Sequence, residues 1–147
     1  MRVLIDADGC PVVDITIRLA QKHKIECIIF CDTSHEFRRD GAETIMVSKG
    51  ADSVDFALVN MLQNGDVVIT QDYGLAAMCL ARGAIPISQD GMIYNNDNIE
   101  GLLLQRHTAK KIRNAGGRLK GNPKRKSEQD TAFEIALERI LLKQSEE

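Results

Sequence analysis

The sequence predicts an α/β chain built on a parallel sheet, and three observations carry that prediction. Short apolar runs alternate with segments of helical periodicity along most of the chain, the pattern that right-handed strand–helix–strand crossovers leave in a sequence. Two of the runs, in VLIDAD and VVITQD, are continuously apolar, as strands covered on both faces are, and each stops at an aspartate. The third observation is the placement of six aspartates, Asp6, Asp8, Asp52, Asp55, Asp72 and Asp90, in four segments where such a chain gathers its strand ends. In an open α/β sheet, ligands sit beyond the carboxyl ends of the strands, where strand order reverses.

Each element has its own warrant. Arg2 to Asp6 reads as a first strand, and Pro11 occupies a favoured first-turn position for a helix through about Lys24, with Val13, Ile17 and Ala20 on one face. Ile25 to Cys31 is a second buried strand and Thr44 to Val47 a short third one, separated by the polar stretch DTSHEFRRDG. Asp52 to Gln63 has Val54, Leu58, Met61 and Leu62 at helical spacing, closed by Asn64 and Gly65. Asp66 to Thr70 is a fourth strand, Leu75 to Arg82 a helix ending at Gly83, and Ala84 to Ile87 a fifth strand. Asn98 to about Arg113 reads as a helix, 116–127 as a Gly-rich basic linker, and Glu128 to Gln144 as an amphipathic helix with Phe133, Leu137, Ile140 and Leu141 on its apolar stripe. The 147 residues are thus expected to form a single domain, with an α/β core over 1–113 and a basic linker plus helix over 114–147.

A domain of this size buries about 70% of its unfolded surface and needs no staples. Cys10, Cys27, Cys31 and Cys79 include no CxxC pair, and the amino terminus lacks a charged-then-apolar leader, so the chain is expected to be cytoplasmic and reduced. No apolar stretch approaches the roughly 20 residues that span a bilayer. The net charge of −2 conceals a segregation: Arg106 to Lys126 holds nine of the nineteen Lys and Arg residues and no Asp or Glu. That run suits a polyanion as readily as a solvated tail, and with only six aromatic residues in the chain, contact with nucleic acid is expected to rest mostly on phosphates.

The acids are weighed one by one. Carboxylates brought together repel unless some are protonated or a cation sits among them, and a hard, oxygen-seeking ion such as Mg²⁺ or Mn²⁺ suits them. Asp6 and Asp8, two apart on an extended chain, project to one side about 6.6 Å apart, although Asp8-Gly9 also suits a turn. Asp52 and Asp55 share a helical face, where ordinary first-turn placement is the better explanation for one of the two. Asp72 follows an apolar strand and suits both N-capping and metal binding. Asp90-Gly91 is as readily a turn. Cys27 and Cys31 read as core residues, Cys10 as a thiol whose neighbouring carboxylates oppose activation, and His23 and His107 as surface residues. His35, Arg38 and Arg39 lie in a polar loop suited to orienting a phosphate or simply solvated.

LIDADGCPV, SKGADSVDFALV, VVITQDYGLAA and GGRLKGNPKRK together resemble the YaiI/YqxD family of bacterial proteins, which is grouped with PIN-like and NYN nuclease domains. The resemblance implies a PIN-like sheet of order 3-2-1-4-5 flanked by helices and a divalent-metal site of acids. Asp6 matches the first-strand acid and Asp72 the acid of the T-x-D motif, the two expected catalytic residues. Asp52 or Asp55 matches the helical acid, Asp90 lies where a fourth acid occurs, and Asp8 completes the expected ligands. The leading reading of the residues is Mg²⁺- or Mn²⁺-dependent hydrolysis of RNA phosphodiesters, with Arg38, Lys49, Arg118, Lys120, Lys124, Arg125 and Lys126 along the phosphate backbone, while the resemblance itself carries fold and metal site rather than a reaction. IDADG also resembles the D-x-D-G signature of haloacid-dehalogenase-like phosphatases, with Asp6 as nucleophile and Asp8 as acid. Against that reading, Pro11 starts a helix where that fold needs a flap, and Cys10 replaces the usual Thr. A non-catalytic RNA-binding protein with a metal site is the third reading.

Overall fold

Arg2–Asp6 forms strand β1, whose three central residues are fully buried, as its unbroken apolar run requires. The computed structural model describes residues 1–33, 38–50, 52–117 and 124–145, so His35, Arg118 and Lys120 lie outside the described residues. After β1 come α1 (Val13–Lys22), β2 (Glu26–Asp32), β3 (Glu43–Val47), α2 (Ser53–Met61), β4 (Val67–Ile69), α3 (Tyr73–Ala81), β5 (Ile85–Ile87), α4 (Ile99–Asn114) and α5 (Ser127–Ser145). All four strand pairings are parallel and the order is β3-β2-β1-β4-β5, the order the sequence resemblance implied.

The period-2 alternation of strands divides the core in two. Val3, Ile5, Cys27, Ile29, Val67 and Ile69 pack against Val13, Ile17 and Ala20 of α1 and against Phe133, Leu137 and Leu141 of α5. Leu4, Ile28, Phe30 and Val68 face the other way, onto Leu58 and Val59 of α2 and Leu75 and Cys79 of α3. Helix α5 is therefore a component of the core, and its outer edge is fastened to α1 by Arg18–Glu134 and Lys22–Glu138 ion pairs, both 116 residues apart in sequence. Helix α4 lies on α3, where Ala76, Tyr94 and Ile99 make a third, smaller cluster.

Two helix starts differ from expectation for local reasons. Helix α1 begins at Val13 because Gly9, at φ +72°, and the Cys10 N–H bond to the Ala7 carbonyl make a turn first. Helix α3 begins at Tyr73 rather than Leu75 because Asp72 is its N-cap: one carboxylate oxygen accepts from the N–H groups of Gly74 (2.8 Å) and Leu75 (3.1 Å). Among the described residues, no helix is long and apolar enough to cross a membrane.

Candidate active site

Strand β1 pairs with β2 on one side and β4 on the other, so the order reverses at β1 and the crevice of an α/β sheet opens beyond its carboxyl end. Asp6 is the last residue of β1, and across the reversal stands Thr70, which follows β4. Thr70 is held on every side. Its N–H donates to the Ile87 carbonyl (3.1 Å), its carbonyl accepts from the buried Tyr94 hydroxyl (3.1 Å), and its own hydroxyl accepts from the Asp72 N–H (3.0 Å) while donating to Asp6 Oδ2 (2.8 Å). Tyr94 is in turn packed edge-on against Tyr73, with ring centroids 6.0 Å apart. A rigid hydroxyl thus orients one carboxylate and the backbone of a second.

The acids form two adjoining groups. Asp6 and Asp8 line a small cavity of about 60 Å³ with Cys10, Thr70, Gln71 and Gln89. Asp52, Asp55 and Asp72 line a wider depression of about 290 Å³ with Phe56, Met78 and Arg106. The two groups are electrostatically one. Burial pushes the Asp6 carboxyl up to about 6 against the pull of the Thr70 hydroxyl, and the charges of Asp72 and Asp8 add to the rise. Burial also lifts Asp55 to about 6, with Asp72, Asp6 and Asp52 adding repulsion and Arg106 opposing it. Asp52 sits at the N-cap position of α2 in left-handed backbone, φ +64°, without making a side-chain cap bond. Asp is among the non-glycine residues that tolerate this backbone best, and Lys24 after α1 shares it at φ +56°.

The donor set is wholly carboxylate oxygen, which selects hard divalent cations. Among the described residues, no three His, Cys, Asp or Glu side chains are gathered closely enough to enclose an ion. Acids so spaced do not form a protein cage, and only an ion that keeps several waters and takes one or two carboxylates, as Mg²⁺ does, would be compatible with them. Burial drives the Cys10 thiol up to about 11, with Asp6 adding to the rise against the Val12 N–H and Arg125, which leaves it neutral at physiological pH.

The remaining expected residues lie elsewhere. Asp90 is ion-paired: Arg125 donates to it (2.8 Å), to Asp130 (2.8 Å) and to the Gln89 carbonyl (2.7 Å), and Gln129 also donates to Asp90 (3.1 Å). Arg125 is thereby engaged inside the protein, anchoring the start of α5 beside the cavity of Asp6. Lys49 is exposed between β3 and α2, Arg38 is exposed ahead of β3, and Lys124 and Lys126 are exposed before α5. Two residues not singled out from the sequence stand at the acids. Arg106 places Nη1 3.4 Å from Asp72 Oδ1, and Phe56 keeps 60% of its surface exposed in the same depression. Phe56 lies off the apolar stripe of its helix, a signal visible in the sequence; the fold of α4 onto α3, which delivers Arg106, is not.

Residues 4–143 match the family model described as "Uncharacterized BCR, YaiI/YqxD family". A UPF0178 protein of Exiguobacterium sibiricum is 49% identical over 146 residues, covering 99% of this chain and all of the relative. A UPF0178 protein of Clostridium acetobutylicum is 48% identical over 145 residues (97% and 98%), and one of Ruminiclostridium cellulolyticum 49% over 146 (99% and 95%). No solved structure matches the chain. With nearly its whole length matched by the family model and by these full-length relatives, the chain belongs to the YaiI/YqxD family.

Proposed function

We propose that the protein is a PIN-like ribonuclease that hydrolyses RNA phosphodiesters with Mg²⁺ or Mn²⁺, using Asp6 and Asp72 as its catalytic carboxylates and Asp55, with Asp8 or Asp52, as supporting ligands. The observation that carries this reading is the pooling of under-compensated carboxylates at the strand-order reversal, where Asp6 and Asp55 are both lifted to about 6. Such a group is costly unless it has work to do, since a fold gains nothing from burying like charges. A bound divalent cation would supply activation of water and neutralise charge at the leaving oxygen.

The chain's own contributions follow from its bonds. Thr70 fixes the rotamer of Asp6 by donating to Oδ2, so that Asp6 enters the site already oriented. Asp72 uses Oδ1 for the α3 cap, which locks its side chain relative to β4. Asp6 and Asp55 hold protons in mildly acidic solution and release them as the pH rises, so the site is best prepared for a cation above about pH 6. Lys49, Arg38, Lys124 and Lys126 are assigned to the RNA backbone, with Arg118 and Lys120 of the same basic run.

The test is to incubate metal-free protein with labelled single-stranded and structured RNA, restore Mg²⁺ or Mn²⁺, and run Asp6→Asn beside it. Metal-dependent cleavage that Asp6→Asn abolishes supports the proposal. Cleavage that persists in Asp6→Asn indicates a contaminant, and tight RNA binding without turnover under any divalent metal favours the non-catalytic reading.

A further inference from the structure

One face of α4 carries Arg106, Ala109 and Arg113, spaced three and then four residues apart and therefore in one stripe. Together with Gln71, Asp72 and Tyr73 they line a depression of about 480 Å³. It adjoins the acidic depression, because Asp72 and Arg106 line both. The two hollows have opposite character. Three aspartates face one, whereas the other has two guanidiniums against the single carboxylate of Asp72, which is already accepting two backbone N–H groups.

Arg106 is held only loosely by the protein. Its Nη1 lies 3.4 Å from Asp72 Oδ1, at the long limit of a hydrogen bond, and its side chain is 60% exposed. Gly74 gives the approach room, since a Cβ there would stand 3.2 Å from Asp72 Oδ1 and 3.3 Å from Arg106 Nη1, close enough that the guanidinium would have to shift slightly. Ala109, with its short side chain, keeps the floor open between the two guanidiniums. A planar guanidinium with unspent donors, on the rim of a concavity, is the arrangement that binds phosphate oxygens.

Resting on the ribonuclease reading for the neighbouring acids, we propose that this depression is a phosphate subsite: Arg106 and Arg113 hold an internal phosphodiester of the RNA strand adjacent to the one presented to Asp6, Asp55 and Asp72. A polyanion approaching those acids is repelled, and Arg106, the one cation lining the acidic depression among the described residues, offsets that repulsion at the shared wall. Both arginines are positioning residues. They act on where the strand lies, and chemistry stays with the carboxylates.

The experiment measures binding and turnover separately on the full chain. Fluorescence anisotropy with a labelled single-stranded RNA, in EDTA and across a salt series, compares wild type with Arg106→Ala/Arg113→Ala, Arg106→Lys/Arg113→Lys and, as a charge control, Lys143→Ala on α5. Removing one phosphate-binding cation should reduce the log–log salt slope by about 0.7, so the double alanine variant should be flatter by about 1.4 and bind roughly tenfold or more weakly. The double lysine variant should keep the slope and lose part of the affinity, and Lys143→Ala should match wild type. A slope in the double alanine variant equal to wild type, or a loss equalled by Lys143→Ala, overturns the subsite. RNA with a 5′-hydroxyl should bind as tightly as its 5′-phosphorylated form; binding that requires the terminal phosphate overturns the internal-phosphodiester assignment. If the wild type cleaves and the double alanine variant shows a raised KM with kcat little changed, both proposals stand. Cleavage with an unchanged KM and slope sinks the subsite alone, whereas an arginine-dependent slope without any cleavage sinks the ribonuclease reading alone.

Discussion

Two neighbouring strands end in nearly the same four residues, Ile69-Thr70-Gln71-Asp72 after β4 and Ile87-Ser88-Gln89-Asp90 after β5, yet their aspartates end in different surroundings. The beginnings match. In each, the hydroxyl accepts the N–H of the aspartate two residues on, at 3.0 Å for Thr70 and 3.2 Å for Ser88, and the Gln89 N–H donates to the Gln71 side chain (2.8 Å), tying the two turns together. They diverge afterwards. Asp72 caps a helix and faces Asp6 and Asp55, while Gly91, at φ +88°, turns the second chain back so that Ser88 also accepts from Met92, and Asp90 meets Arg125. The motif delivers a carboxylate to a strand end in both cases. What differs is the cation each receives from far along the chain: Arg125 meets Asp90 at 2.8 Å, whereas Arg106 stands 3.4 Å from Asp72.

The strongest way to break this comparison is to remove the uncompensated charge. Asp6→Asn should lower metal-dependent turnover by more than the roughly 10–100-fold that loss of a ligand's outer partner costs, measured as single-turnover rates. The same variant should be more stable than wild type at neutral pH. Asp6 has a folded-state pKa of about 6 against an ordinary 3.8, so the folded state retains a proton that the unfolded chain has lost, and stability falls as pH rises through that window. The cost at pH 7 is about 3 kcal/mol, or roughly 6–12 °C in Tm, and should fade near about pH 4. Calorimetry at both pH values checks it; equal melting temperatures at neutral pH would remove Asp6 from a repulsive cluster.

Taking the cation from the other aspartate is the converse. Arg125→Ala should destabilise the fold by about 1 kcal/mol, since its partners Asp90 and Asp130 are themselves well exposed, and denaturant titration reads the change. A variant as stable as wild type would show that the anchor at the start of α5 is ornamental. A smaller effect comes from Thr70→Val, which deletes the hydroxyl that lowers Asp6. NMR titration should find the Asp6 pKa above that of wild type, with Mn²⁺ binding weakened in proportion. The smallest is Lys124→Ala with Lys126→Ala, which should flatten the salt dependence of RNA binding by about 1.4 in log–log slope, with the fold untouched.

Much of this architecture was legible because it rests on local pattern. The bounds of β1 follow from a run that is apolar until Asp6, and the stripe Phe133, Leu137, Leu141 identified the buried face of α5. Residue type brought Asp6 forward because a carboxylate that ends a buried strand has few structural uses, whereas Asp72 was legible first as the cap of α3. What was hidden depends on tertiary contacts. Arg125 reaches Asp90 across 35 residues, so a basic run that reads as a polyanion surface has one member turned inward. Arg106 reaches Asp72 across 34, and its place at the site follows from the docking of α4 on α3 through Tyr94 and Ile99, which no periodicity announces. Met61, on the apolar stripe of its helix, is partly exposed because α2 ends there and Leu62 alone turns into the core.

Helix α5 also sets the timetable of folding. Strand β1 and helix α1 are synthesised long before Phe133, Leu137 and Leu141, yet those three residues cover the apolar side of the sheet beside α1, through contacts more than a hundred residues apart. A nascent chain therefore carries Val13, Ile17 and their strand neighbours without their final cover until α5 clears the ribosome, a stretch of time in which the exposed surface is open to chaperones and to aggregation. A chain cut short ahead of α5 would keep only α1 over that side of its central sheet.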